Sequence, residues 1–292
     1  MSRRGVSMQN LPTAGRWAIY LSLAAVFAIA CAFLANWQFA RNDERSAQLA
    51  LVDTNYDVAP VPLAELIPAG GRLDPADQWR QVELTGSYLS GEQLLVRNRP
   101  HGGTSAFEVL VPFRLDDGRV LLIDRGWVLP GEQSPLPDDV PPAPEGTVTV
   151  VARLQPGEPL PRSGRSAPDG QVPTIHLPSV AEQIGDAGVD LETSAYGLMA
   201  DEDPAPATRP QAIASPSEDP GPHLSYAIQW ILFAVMGFVF IGYVIRTERQ
   251  HRREDAEDAE DDGTPGSAPA PRARRRDRDA DDEDALIDAS AR

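Results

Sequence analysis

Residues 107–128 read FEVLVPFRLDDGRVLLIDRGWV. Two apolar runs, 107–115 and 120–128, flank Asp116-Asp117-Gly118, and an Asp-Gly break between such runs is a strong β-hairpin signal. Working outward, residues 81–89 (QVELTGSYL) alternate in polarity, 94–98 form a short apolar run, and 147–154 alternate again. Ser90-Gly91-Glu92 makes a second turn, so five strands joined largely by hairpins imply a mainly antiparallel sheet. Such a sheet buries its apolar face either by curling into a small barrel or by packing under a helix as an α+β domain, and the pattern leaves both open.

Beyond this core the chain is punctuated by proline. Pro60, Pro62 and Pro68 with Gly70 and Gly71 mark a connector carrying one short helix at 63–67. Segments 130–144 and 156–170 are poor in apolar side chains and read as loops. Residues 172–177 suggest a sixth strand, 178–184 a helical turn or two, and 195–199 a further strand, followed by an extended Pro-rich tether over 201–222.

Two charge-free apolar stretches flank the β region. Residues 17–35 and 224–245 are each about 30 Å long as helix, the thickness of a hydrocarbon core. Arg3, Arg4 and Arg16 precede the first, and Arg246, Arg249, Arg252 and Arg253 follow the second, so the positive-inside bias puts both termini in the cytoplasm of a two-span plasma-membrane protein. This gives a cytoplasmic start at 1–16, spans at 17–35 and 224–245, an extracytoplasmic domain at 36–223 and a charged, disordered tail at 246–292. Helical spacing continues from Trp37 to Leu51, which carries the first helix out of the bilayer. Ala28-Ile29-Ala30-Cys31 loosely resembles a lipoprotein cleavage site, but the apolar run continues through Phe33 and Leu34, so an uncleaved anchor is expected.

The chemistry in the chain is sparse. It carries no Lys and a net charge of -17, which offers no basic surface for nucleic acid. A single cysteine, Cys31, excludes an internal disulfide and paired thiolates for copper. None of the four histidines has zinc-ligand spacing. His101 reads as a solvated turn residue, His176 as a strand position and His251 as solvated surface. His223 stands at the start of the second span with Tyr226 and Trp230 following, either as an interfacial residue capping the helix or as an imidazole ligand for haem iron. Arg97, Arg99, Arg114, Arg119 and Arg125 can share one face of the sheet, suited to propionates or an acidic partner, or lie as solvated edge charges. Trp79 and Trp127 read as core or interface aromatics.

An ordered set of motifs resembles a known family: Trp37, Gln38 and Arg41 leaving the first span; TGxY at 85–88; Arg97, Asn98, Arg99 and Pro100; Asp124, Arg125, Gly126 and Trp127 closing the long hairpin; and HLSYAIQW at 223–230. Together, over residues 17–250, they resemble the Surfeit-locus-1 (Shy1-like) cytochrome c oxidase assembly proteins. The resemblance implies a non-enzymatic assembly factor that transiently holds haem a during its insertion into the oxidase large subunit. It places the candidate axial haem ligand at His223, and it suggests the oxidase large subunit, a haem a synthase and the lipid bilayer as partners. The alternative is a haem-free envelope scaffold with a membrane-tethered β domain.

Overall fold

The computed structural model describes residues 12–164 and 166–261, which divide into two compact units. The first holds residues up to Asn36 together with those from Tyr226 onward; the second is Trp37–Ser225.

In the first unit lie the apolar part of α1 (Thr13–Asn55) and most of α4 (His223–Asp261). Both are long and apolar enough to cross a membrane. Their large apolar side chains, among them Leu23, Ile29, Phe33, Val239 and Phe240, point outward, as they do on helices whose solvent is hydrocarbon. The buried positions are small instead: Ala24, Cys31, Ala35 and Ala227. Small residues let two helices approach closely where lipid, rather than water, surrounds them. The helices run antiparallel, because the Trp17 indole N–H donates to Glu248 (3.0 Å), Arg16 pairs with the same carboxylate (3.1 Å), and Arg249 lies over the Trp17 ring. The start of α1 and the end of α4 therefore share one side. The charged tail is helical as far as Asp261; Arg3, Arg4 and residues 262–292 lie outside the described residues.

The second unit is a mixed sheet of eight strands with two short helices. Its strands are β1 (Val61–Pro62), β2 (Gln81–Tyr88), β3 (Leu94–His101), β4 (Thr104–Leu115), β5 (Val120–Val128), β6 (Val148–Gln155), β7 (Gln171–Val172) and β8 (Tyr196–Asp203), in the order β1-β2-β6-β8-β5-β4-β3-β7. The five expected strands are present and their ladders are antiparallel, but β1–β2, β3–β7 and β5–β8 are parallel. The expected sixth strand is only β7: His176 caps α3 (Leu177–Gln183), accepting at Nδ1 from the Ser179 amide, and so is not a strand residue. The short helix α2 (Leu63–Leu66) falls where expected, while α1 continues four residues past Leu51 to Asn55.

Besides pairing with β6, β2 pairs with β4 through Gly86, Ser87 and Tyr88, so β2-β6-β8-β5-β4 form a circuit of hydrogen-bonded neighbours. Gly86 permits it, because a Cβ there would collide with the Arg114 carbonyl. Both faces of the long hairpin are covered. Val109, Val111, Phe113, Leu121 and Ile123 point into the circuit with Leu84, Val150 and Leu154, while Leu110, Val120 and Leu122 pack on the other side against Ile175, Leu177, Val180 and Ile184. Two buried faces explain why residues 109–113 and 120–123 are continuously apolar where a one-sided sheet would alternate.

Candidate functional site

The RNRP and DRGW motifs meet around one residue, Glu108 of β4. The β3–β4 register runs Val96↔Glu108 and then Arg99↔Ala106, which leaves two residues of β3, Arg97 and Asn98, opposite Phe107 alone. Similarly, Glu108↔Trp127 is followed by Leu110↔Asp124, which leaves Arg125 and Gly126 opposite Val109. Each motif therefore carries a β-bulge with a left-handed residue, Asn98 (φ 61°) or Gly126 (φ 123°). A bulge re-aims the side chains beside it, and here the two flank Glu108 from both neighbouring strands.

The result is a buried polar network. Arg99 Nε donates to Glu108 (2.5 Å), and its two terminal nitrogens fork onto Glu158 (2.7 and 3.2 Å). Glu158 also accepts from the Thr174 hydroxyl and the Ile175 amide. Burial alone would raise the Glu158 pKa, but the Arg99 and Thr174 hydrogen bonds bring it below the usual carboxylate range. His101 Nε2 contacts the other Glu108 oxygen (2.8 Å) and stacks on Trp127. His101 is the last residue of β3 and half-buried rather than a solvated turn residue. Asp124 is fully buried: Oδ1 accepts from the Gly126 amide and Oδ2 has no partner among the described residues. Desolvation, reinforced by the nearby Glu108 charge, pushes its pKa well above the ordinary value.

Arg125 faces the opposite way into the circuit. Its guanidinium is fully buried, forked onto Glu202 (2.8 and 3.4 Å), donating to the Pro141 carbonyl and lying over the Tyr88 ring. The Tyr88 hydroxyl donates to the same Glu202, and burial followed by the Glu202 charge raises its pKa. The arginines do not form a common face. Arg125 is internal, Arg99 is half-buried between its two carboxylates, Arg119 pairs with Asp117 and donates to the Ile67 carbonyl, Arg114 is exposed, and Arg97 is half-buried by an open cleft with Pro161 and Pro173. An arginine inside an apolar run is internal only if a carboxylate reaches it, and for Arg125 that carboxylate, Glu202, lies 77 residues away.

A second set of residues stands where the chain enters and leaves this unit. His223 Nδ1 lies 3.0 Å from the Gln38 Oε1 atom. An amide oxygen only accepts, so with Gln38 in this orientation a neutral ring has its proton on Nδ1 and its lone pair on Nε2. Nε2 makes no hydrogen bond among the described residues, and Gly221 lies beside the ring, where a Cβ would stand in van der Waals contact 3.8 Å from Nε2. The backbone leading to His223 is pinned by Arg45, which donates to the Ser217 and Asp219 carbonyls (2.7 to 3.1 Å). The 201–222 tether is therefore not loose: it contributes Asp201, Glu202 and Asp203 to β8, and Gln211 exchanges backbone hydrogen bonds with Trp127 at 2.8 Å.

Of the other motif residues, Trp37 is exposed, Arg41 pairs with Glu44 on the helix surface, and Pro100 is exposed opposite Ser105. Tyr226 and Trp230 belong to the first unit, where Tyr226 is exposed and Trp230 sits edge-on to Phe233. Glu108, Glu158, Glu202 and Thr174 were missed by sequence reasoning. The available signal was the adjacent Asp-Arg pair inside an apolar run, which requires buried partners of both signs.

Residues 25–235 match the SURF1 family. The chain is similar to the uncharacterized SURF1-like proteins of Mycobacterium bovis and Mycobacterium tuberculosis, 37% identical over 246 residues, which is 82% of this chain and 88% of theirs. It is also similar to the cytochrome oxidase assembly protein SHY1 of Saccharomyces cerevisiae, 32% identical over 123 residues, 41% of this chain and 30% of that one. With the matched region covering most of its length, the chain belongs to the SURF1 family.

Proposed function

We propose that this protein is a two-span plasma-membrane assembly factor for a haem-copper cytochrome c oxidase, with both termini cytoplasmic, which hands haem a towards the large subunit by holding its iron at His223. The observation that carries the haem reading is the His223–Gln38 pair. Histidines that bind metals generally donate their second ring N–H to a fixed acceptor, which sets the tautomer and aims the lone pair at the metal. Nδ1 donating to Gln38 with Nε2 unengaged is that arrangement before a metal arrives. The name of the yeast relative supports the oxidase assignment. Two long apolar helices whose charged ends share one side support the topology. On α4, Tyr226 and Trp230 are the aromatic kind that anchors a helix at the membrane interface.

Haem is cargo here, so a single axial bond suits a protein that must let go. The test is haem retention by His223→Ala purified from cells that make haem a, together with the oxidase spectrum of membranes lacking the protein. Loss of haem from the variant, and of the haem a band from oxidase whose subunits are still made, is the expected result. A haem-free wild-type protein with a normal oxidase spectrum would instead favour the envelope-scaffold reading.

A further inference from the structure

We infer that Gln38 is a positioning residue that sets how tightly His223 holds its iron; the inference rests on the reading of His223 as the haem ligand. Three observations converge on it. Gln38 supplies the hydrogen-bond partner of the His223 ring, through an oxygen that can only accept. It is half-buried on α1, 185 residues away along the chain, so the contact is made by the tertiary fold rather than by local geometry. The backbone on the His223 side is fixed separately, by Arg45 on the Ser217 and Asp219 carbonyls and by the Asp219 carboxylate on the Gly221 amide, so the ring is the remaining variable and Gln38 holds it.

The chemistry of the acceptor matters. A carboxylate accepting from Nδ1–H draws the proton towards itself and makes the opposite nitrogen a stronger donor to the metal; this is the pairing of many permanent metal sites. An amide oxygen is neutral and polarises the ring less. Gln38 therefore locks the tautomer that exposes Nε2 without making it a strong ligand, which is the compromise required of a carrier that must both capture iron and release it. Loss of the acceptor frees the ring to exchange tautomers and rotamers, and replacement by a carboxylate over-strengthens the bond.

The experiment compares the full-length wild-type, Gln38→Leu, Gln38→Glu and His223→Ala proteins, purified from cells that make haem a. Haem dissociation and the reduction potential of the bound haem are measured, and the apo wild-type protein is studied by 15N NMR of its histidine rings, with the His223 signal identified by its absence in His223→Ala. The inference expects an Nδ1-protonated His223, haem affinity about 10- to 100-fold lower in Gln38→Leu, and tighter haem with a lower potential in Gln38→Glu. An Nε2-protonated ring overturns it, as do unchanged affinity and potential in both Gln38 variants while His223→Ala still loses haem. Full haem retention by His223→Ala overturns the ligand reading itself. Should Gln38→Leu fold poorly, the tautomer of the wild-type ring and the direction of change in Gln38→Glu still decide the matter.

Discussion

His101 and Trp127 lie face to face, their ring centroids 5.2 Å apart and their planes 7° from parallel. One ring ends the RNRP strand and the other stands one residue before the end of the DRGW strand, on opposite sides of β4. The stack bridges the two bulged strands over Glu108, and it should be energetically coupled. A double-mutant cycle of His101→Ala and Trp127→Ala, read by chemical unfolding of the purified chain, should return about 1 kcal/mol of coupling, the scale for aromatic pairs. Additive effects would mean that the rings are merely adjacent.

Glu202 satisfies two buried groups at once, the Arg125 guanidinium and the Tyr88 hydroxyl. Glu202→Ala strands a positive charge inside the circuit and should cost about 3–5 kcal/mol. Glu202→Gln keeps an acceptor and should cost less. Replacing the pair together, as Arg125→Met with Glu202→Leu, should recover a large part of the loss, because no charge is then left inside unpaired. Unfolding midpoints of the four proteins check the order; a double variant no better than Glu202→Ala would contradict it.

Asp124 gives a pH dependence of defined sign. Its folded pKa is raised by burial, so the neutral acid is the form that the fold favours. Its contribution to stability is complete below about pH 4, the ordinary aspartate range, and is lost as pH rises through the raised value. Asp124→Asn is neutral throughout and can still accept from the Gly126 amide. The variant should match wild type in acid and exceed it in alkali, as thermal unfolding across that range would show. A parallel alkaline decline in both proteins would place the titrating group elsewhere.

Gly126 is held at a φ of 123°, with the Gln211 carbonyl where a side chain would begin. Gly126→Ala should cost about 1–3 kcal/mol and push segment 210–212 off the end of β5, breaking the indole hydrogen bond from Trp127 to the Ala212 carbonyl. Limited proteolysis should then cut faster within 204–222 than in wild type. Equal cleavage rates would show that the strap tolerates the extra methyl group.

Legibility in the sequence followed the reach of each interaction. The hairpin about Asp116 and Gly118 was readable because its signal lies within a few residues, and the apolar helices because their composition is contiguous. The parallel partners β1 and β7 are two residues long and answer to strands far away, so no periodicity could announce them. His101 was misread for the same reason: nothing near it in sequence reveals the Trp127 ring or the Glu108 carboxylate. Gln38 and His223 each stood inside a readable motif, yet their pairing is visible only in the fold.

The position of β8 has a consequence for the order in which the protein comes into being. It is the last strand in sequence among the described residues, yet it sits between β5 and β6, parallel to one and antiparallel to the other. While the chain is being synthesised, the hairpins before it can assemble, but the circuit stays open and Arg125 lacks the Glu202 carboxylate until β8 is in place. Only the short stretch 204–222 then separates completion from the arrival of His223 at the head of α4. The sheet therefore passes from open to a completed circuit in one late step, with His223 following soon after it.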